Sequence, residues 1–356
     1  GNIMMYTFPN KLRNLAIAFM VIGFLGLAYG FINAPKTIEE AKAMVASSHG
    51  EGHGESHDET TTTIHGEEDT HAVSEGHETS VVDDHASSSH QETHNTSHDE
   101  HLFHQLSNKP WAAFYVAAFF FFMISLGVLA FYAIQRAAQA GWSPVLYRVM
   151  EGITAYLLPG GIVIIVILAL SGMHLNHLFI WMDPEVVAHD ELIAGKIGYL
   201  NVPFFLVRAV LFLLGWTIYR YFSRKFSLAQ DQSDNISNHK KNFRISAAFL
   251  VFFIYSESVM SWDWIMSIDP HWFSTLFGWY VFASMIVSGV TTIALITIYL
   301  KSKGYLEFVN DSHIHDLGKF MFGFSVFWTY LWFSQFMLIW YSVSYTHLTL
   351  PTNREV

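Results

Sequence analysis

The chain has 356 residues, of which 52% are hydrophobic and 14% are charged. Soluble domains carry about 25% charged residues, so this composition indicates a membrane protein. The sequence contains no cysteine, which excludes iron–sulfur ligation, covalent c-type haem and disulfides within the chain. It also contains no basic tract with interleaved aromatic residues, which excludes nucleic acid as a partner.

The first predicted element is an apolar segment at residues 14–31. As a helix it is long enough to span about 27 Å. Residues 1–33 are therefore predicted to form an N-terminal anchor helix, and a cleaved signal peptide is the alternative interpretation.

A long polar insert follows at residues 34–109. Between residues 49 and 104 it holds 12 of the chain's 20 His and 14 Asp and Glu but no Lys or Arg, so the remainder of the chain carries −11 + 14 = +3 charges. Such a segment buries too little apolar surface to offset its ordering entropy, and we expect a disordered loop. A weak buffer of zinc, copper or nickel ions is the alternative, and no specific metal site is expected.

Six further apolar segments predict an all-α membrane protein, a polytopic transmembrane helix bundle with about seven spans. They lie at residues 111–134, 151–171, 199–222, 245–266, 273–300 and 317–340. We expect a kink near residues 159–161, where Pro is followed by two Gly. Residues 342–356 fit neither a span nor a helix and are interpreted as a foreign tail.

The loop charges predict an orientation. Lys and Arg precede the first span and follow the second, fourth and sixth spans, whereas the acidic insert falls on the other side. The positive-inside rule therefore predicts a cytoplasmic N-terminus and places the His-rich loop on the opposite side of the membrane.

Two carboxylates lie inside the fifth span. An ionised Glu257 or Asp263 without a partner at that depth costs at least roughly 2.5–3.5 kcal/mol. Because six residues separate them, about 120° around a helix, we expect them to face different neighbours. Together with Ser256, Asp269 and His271 they form a ladder toward the outer surface, as expected of a proton path.

Arg208 lies about nine residues into the fourth span and needs a carboxylate or a water-filled cavity. A structural pair with Glu257 is one interpretation, and a contact with a quinone carbonyl is another. His174 and His177, with Asp183 beyond them, follow the third span. A His with an ordinary pKa of about 6.5 at this position is suited to accept a quinol proton. The alternative is that these His side chains lie in a loop and are only exposed to solvent. No span interior holds a His, so we expect no haem.

Three motifs resemble the NrfD-like membrane subunits of bacterial alternative complex III, a quinol:cytochrome c oxidoreductase. They are QAGWSP with RVME at residues 139–144 and 148–151, SWDWIMSIDPHWFST at 261–275 and WTYLWFSQF at 328–336. Because a His-rich insert follows the first helix, the chain most resembles the second of the two large membrane subunits. The resemblance covers residues 5–341, after which the later helices of the family pattern are missing.

The resemblance implies two four-helix bundles in the bacterial inner membrane, the first at residues 110–272 and a partial second at 273–341, with a periplasmic His-rich loop. It implies quinol oxidation near the outer side, where Asp263, Asp269 and His271 line one bundle. Menaquinone or ubiquinone is the implied cofactor, without haem or an iron–sulfur cluster attached to this chain. The implied partners are a sister NrfD-like subunit, an iron–sulfur subunit and haem c subunits.

The expected function is that of a membrane subunit of a quinol-oxidising complex, not catalytic alone, which contributes quinone binding or a proton path and docks periplasmic redox subunits. The residues expected to serve that role are Glu257, Asp263, Asp269, His271, Arg208, His174, His177 and Asp183. A structural scaffold without its own quinone site is one alternative. A transporter fed by the His-rich loop is another, which the predicted outer position of that loop disfavours.

Overall fold

The computed structural model describes residues 9–50 and 86–343, and within these ranges every regular element is a helix. The expected disorder of the insert between residues 51 and 85 and the foreign tail at 344–356 lie outside the described residues and stay predictions. The helices are α1 (Asn10–Ile32), α2 (Ile38–Gly50), α3 (Ala86–Ala137), α4 (Tyr147–Ile153), α5 (Leu157–Gly172), α6 (Pro184–His189), α7 (Glu191–Ala194), α8 (Val202–Asp231), α9 (Ser237–Trp264), α10 (Phe277–Ser302) and α11 (Asp311–Met337).

Within the described residues, seven helical segments are long and apolar enough to cross a membrane, which confirms the predicted all-α polytopic bundle. These segments are Asn10–Ile32, Phe103–Ala137, Ser143–Gly172, Val202–Asp231, Ser237–Ile268, Phe277–Ser302 and Asp311–Tyr341. Each contains one of the seven spans predicted from hydropathy or overlaps it closely. The described helices extend beyond the apolar windows because polar residues complete their end turns.

Helix extends into both ends of the polar insert, further than the sequence predicted. At the first end, α2 begins after Thr37, whose Oγ1 accepts a hydrogen bond from Glu40 N at 3.3 Å. The good helix formers Glu, Ala, Lys and Met then carry the helix forward. At the second end, α3 starts at Ala86 and runs without interruption into the second span.

The third span is interrupted earlier than expected. A short 3₁₀ turn at Thr154–Tyr156 separates α4 from α5, whereas Pro159 and the two following glycines lie inside the first turns of α5. The interruption expected near residues 159–161 therefore falls in the turn just before Pro159. The cause is that Pro lacks an N–H and its ring clashes with the carbonyl four residues before it, so the irregular hydrogen bonding falls on the preceding turn.

A cluster of large aromatic side chains joins α3, α8 and α9. Phe122, Trp216 and Trp264 are all buried, and their ring centroids lie 6.0 to 6.1 Å from one another. Aromatic pairs at such separations add about 0.5–1.5 kcal/mol each beyond their buried area. This cluster fixes the relative positions of the three helices that also carry the candidate functional residues.

Helix α10 packs into the same core as α3, because two glycines allow the backbones to approach closely. A Cβ atom added at Gly127 would lie 2.2 Å from Met285 O, and one added at Gly289 would lie 3.0 Å from Val128 N. The residue-272 boundary between two predicted bundles therefore does not coincide with a break in the core, and the two-bundle division stays a prediction.

Helix α11 is attached mainly to α10 and buries little of its own surface, with Leu317 and Leu331 as its buried residues. Two hydrogen bonds join the ends of these helices. Lys301 Nζ donates to Asp311 Oδ1 at 2.6 Å, and near the opposite ends Ser274 Oγ donates to Gln335 Oε1 at 2.7 Å. The remaining surface of α11 is apolar and exposed, as is suited to lipid or to another helix.

Candidate functional site

The candidate site lies where the 173–201 loop meets the start of α8 and the end of α9. Two aspartates organise this loop as helix caps. Asp183 Oδ1 accepts from Glu185 N at 3.0 Å, and Asp190 Oδ1 accepts from the backbone of Leu192 and Ile193 at 3.0 and 3.1 Å. Capping satisfies N–H groups that have no partner inside the helix, so these short turns hold the loop in place.

A buried ion pair between α8 and α9 is the centre of the site. Arg208 Nε donates to Asp263 Oδ2 at 2.7 Å and Arg208 Nη2 donates to Asp263 Oδ1 at 3.1 Å. The pair is therefore bidentate, which is the strongest geometry available to Arg and a carboxylate. Both residues are buried, as a charge at membrane depth requires of its partner.

Tyr199 completes the shell around this ion pair. Its hydroxyl donates to Asp263 Oδ1 at 2.8 Å, and its carbonyl accepts from Arg208 Nη1 at 3.3 Å. The guanidinium lies 4.1 Å from the centroid of the Tyr199 ring and 4.2 Å from that of Phe204. Burial, and next the Asp263 carboxylate, raise the pKa of the Tyr199 hydroxyl, so it stays a donor at neutral pH.

The structure corrects one predicted pairing. Arg208 does have a carboxylate partner, but that partner is Asp263, and the expected structural pair with Glu257 is wrong. Glu257 instead lines a separate cavity together with Trp279 and Phe282 of α10. The two carboxylates thus face different helices, as their 120° separation predicts. The physical reason is the register of α8 against α9, which brings Arg208 level with the last turn of α9.

A second ion pair lies outside the membrane-length helices. His271 Nε2 is 2.6 Å from Asp190 Oδ2, and His271 Nδ1 is 3.8 Å from Asp269 Oδ1. Hydrogen bonds from the backbone of Ile193, and then the contact with His271, hold the pKa of Asp190 below its usual value. His271 thus contacts two carboxylates, and both His271 and Asp269 are exposed.

A cavity of about 400 Å³ opens beside these groups. Its lining residues are Gly195, Lys196, Gly198, Tyr199, Leu200, Trp262, Met266, Ser267, Pro270, Trp272 and Phe273. Lys196 Nζ donates to Pro270 O at 2.5 Å, and Trp262 Nε1 is buried without a hydrogen-bond partner in the described part of the chain. No acidic side chain is among the residues that line it. Two of the lining residues, Lys196 and Trp262, thus carry N–H groups, of which the Trp262 N–H is itself buried.

The predicted ladder from Glu257 to His271 is not one connected chain of hydrogen bonds. Ser256 Oγ accepts from Trp216 Nε1 at 2.9 Å on the α8 side, whereas Glu257 lies on the α10 side. Asp263 is already saturated by Arg208 and Tyr199. Among the residues placed by the structure, the predicted ladder is thus divided: Asp263 pairs with Arg208, and His271 pairs with Asp190.

The two histidines after the third span lie apart from the ion pair. His174 is exposed and adopts a left-handed backbone conformation with φ of 59°, and His177 is half-buried. Asp183 is used as the cap of α6. No described hydrogen bond or ion pair links these three side chains to Arg208 or to Asp263, and their expected role at a quinol site stays a prediction.

A buried polar network at the other end of the bundle was not predicted. Arg136 Nε donates to Tyr132 Oη at 3.1 Å, Tyr132 Oη donates to Glu151 Oε1 at 3.1 Å, and Arg136 Nη2 donates to Ser227 Oγ at 3.0 Å. Arg148 Nη1 joins Glu151 Oε2 at 2.6 Å. The sequence signal was present, since Arg136 follows the second span, but its charge was interpreted only as an orientation signal.

Comparison of the chain with models of known protein families gives no match, and comparison with curated proteins gives no significant match. The family resemblance therefore rests on the three motifs alone. Within the described ranges, no group of three or more His, Asp or Glu side chains could hold a metal ion. What the geometry offers is a cavity whose lining includes Lys196, Tyr199 and Trp262, next to the buried Arg208–Asp263 ion pair.

Proposed function

We propose that this protein is a membrane subunit of a quinol-oxidising respiratory complex in a bacterial inner membrane, and that the outer cavity receives the quinol ring. The observation that supports this proposal is that Lys196 and Trp262 line the same cavity and that the buried Trp262 indole N–H has no hydrogen-bond partner in the described part of the chain. The two oxygens of a quinone or quinol are the acceptors that such donors match. Trp272 and Phe273 supply apolar walls for a planar ring.

The motif resemblance to alternative complex III supports the same function and implies the partners. These are a sister NrfD-like membrane subunit, an iron–sulfur subunit and haem c subunits docked on the outer face. The substrate would be menaquinol or ubiquinol. The motif at residues 261–275 supplies Trp262, Met266, Ser267, Pro270, Trp272 and Phe273 to the cavity wall, so the part of the sequence that carries the resemblance also builds the site.

The residues of this chain have separate roles in the proposed reaction. Oxidation of one quinol to quinone releases two protons and two electrons, and the electrons leave to the redox groups of the partner subunits. Lys196 and Trp262 orient the ring oxygens. His271 directly follows Pro270 of the cavity wall and contacts Asp190, so it is suited to accept a proton and pass it outward.

Substitution of the two donors in the intact complex tests this function. Trp262→Phe removes one N–H while keeping an aromatic wall, and a net hydrogen bond of about 0.5–1.5 kcal/mol predicts a 2- to 10-fold increase in the quinol KM. Lys196→Met should raise KM further. Trp332→Phe is the matched control, because Trp332 is 58% exposed and lies outside this cavity. An unchanged KM in both donor variants would refute quinol binding here.

One observation favours the scaffold alternative. Asp263 accepts three hydrogen bonds from Arg208 and Tyr199, which is a complete shell for a pair that only locks α8 to α9. A scaffold predicts that Trp262→Phe and Lys196→Met leave turnover unchanged while loss of Asp263 prevents recovery of the assembled complex. The same set of variants thus distinguishes the two functions.

A further inference from the structure

Glu257 occupies a cavity of its own, away from the outer site. The residue is 4% exposed, and its Oε1 atom has no hydrogen-bond partner in the described parts of the chain. The cavity has a volume of about 180 Å³. A buried carboxyl group that leaves an oxygen unpaired is uncommon, because buried polar atoms are normally hydrogen-bonded.

The surroundings of Glu257 provide no countercharge. The other residues that line the cavity are Ile134, Leu250, Phe253, Ile254, Ser258, Trp279 and Phe282. They come from α3, α9 and α10, and none of them is ionisable. Arg208 is already engaged by Asp263. An ionised carboxylate here would lose its hydration without a compensating partner, so the neutral carboxylic acid is the favoured form.

The cavity opens on the side of the bundle that faces away from its core. Ile254 and Trp279, which line it, are 57% and 48% exposed. Both belong to helices of membrane-spanning length and composition. An apolar molecule dissolved in lipid can therefore reach Glu257 between α9 and α10, whereas a water-soluble ion would have to cross apolar surface.

We propose that Glu257 is a lipid-accessible carboxylic acid that holds an exchangeable proton, and that it is a modification site for apolar carbodiimides. In the reaction the carboxyl proton moves to one nitrogen of the N=C=N group, and the carboxylate oxygen bonds to the central carbon. The O-acylisourea rearranges to a stable N-acylurea when the acyl group shifts to the other nitrogen. No group leaves, and no oxidant or reductant is needed.

Peptide mass mapping of the full chain in its native membranes tests the proposal. Dicyclohexylcarbodiimide should add one whole reagent molecule to Glu257, while a water-soluble carbodiimide with an added amine should label the exposed Glu191 instead. Glu257→Gln should abolish the apolar label, and Glu257→Asp should retain it because a carboxyl group remains. Asp263 should stay unlabelled by the apolar reagent because both of its carboxyl oxygens accept hydrogen bonds from Arg208.

The wild-type chain alone decides the outcome, so the test does not depend on whether a variant folds. Absence of the apolar label at Glu257, or equal labelling there by the water-soluble reagent, would overturn the proposal. The result is independent of the proposed function, since labelling of Glu257 does not require quinol to bind in the outer cavity. Failure of the Trp262 and Lys196 experiment would leave this inference standing.

Discussion

Removal of one partner from the buried Arg208–Asp263 pair should destabilise the protein strongly. Arg208→Met leaves Asp263 buried, and of its three donors only the Tyr199 hydroxyl would remain. Breaking a buried pair in this way costs about 3–5 kcal/mol. That cost corresponds to a roughly 100- to 4000-fold shift in the unfolding equilibrium.

The double variant Arg208→Met with Asp263→Leu is the decisive comparison. Replacing a buried pair by apolar groups of similar volume is often neutral or stabilising, so the double variant should recover most of the stability that either single variant loses. Unfolding free energies measured by denaturant titration in detergent micelles would provide the cycle. Asp269→Asn is the control, because Asp269 is exposed and should change stability by less than about 0.5 kcal/mol. Additive losses in the double variant would refute the assignment of a desolvated ion pair.

Two further predictions concern packing and pH. Gly127→Ala should destabilise the bundle by about 1–3 kcal/mol in thermal unfolding, because the new Cβ would lie 2.2 Å from a backbone oxygen of α10. Gly152→Ala is the control and should be neutral or stabilising, because a Cβ added there meets no atom within 4 Å. Equal effects of the two substitutions would contradict the close approach of α3 and α10. The pKa of Asp190 is lowered below 3.8 in the folded protein, so the stability it contributes is present above that pH and is lost as the pH falls through the folded pKa. The protection of the Ile193 amide against hydrogen exchange, relative to its intrinsic rate at each pH, should therefore fall below about pH 4 in the wild type. In Asp190→Ala the protection should be low and less pH-dependent. A wild-type protection without that acid step would contradict the cap.

The number and nature of the spans could be predicted because hydropathy depends on composition within one window of sequence. The sequence also predicted that Arg208 needs a carboxylate or a water-filled cavity, because an isolated charge in lipid is costly. Which carboxylate it contacts could not be predicted. Glu257 and Asp263 are both on α9, and the choice depends on how far α8 slides along α9, which is set by packing such as the Phe122–Trp216–Trp264 cluster.

The cavity lined by Lys196, Tyr199 and Trp262 was not predicted from the sequence, for a different reason. Its α9 side comes from the long motif at residues 261–275, which the sequence analysis identified. Its other side comes from Lys196 and Tyr199 in a loop without periodic hydrophobicity. Short capped turns position that loop, and cap identities could be seen in the sequence only after the helix starts were known. The 3₁₀ turn at residues 154–156 precedes Pro159 for a similarly local reason, the hydrogen bond that Pro159 cannot make.

Helix α11 is held to α10 by hydrogen bonds near both of its ends. The hydrogen bonds are Lys301–Asp311 at one end and Ser274–Gln335 at the other. A close backbone contact at Gly127 then joins α10 to α3. We therefore expect a displacement of α11, caused by the bilayer or by a neighbouring subunit, to move α10 together with it.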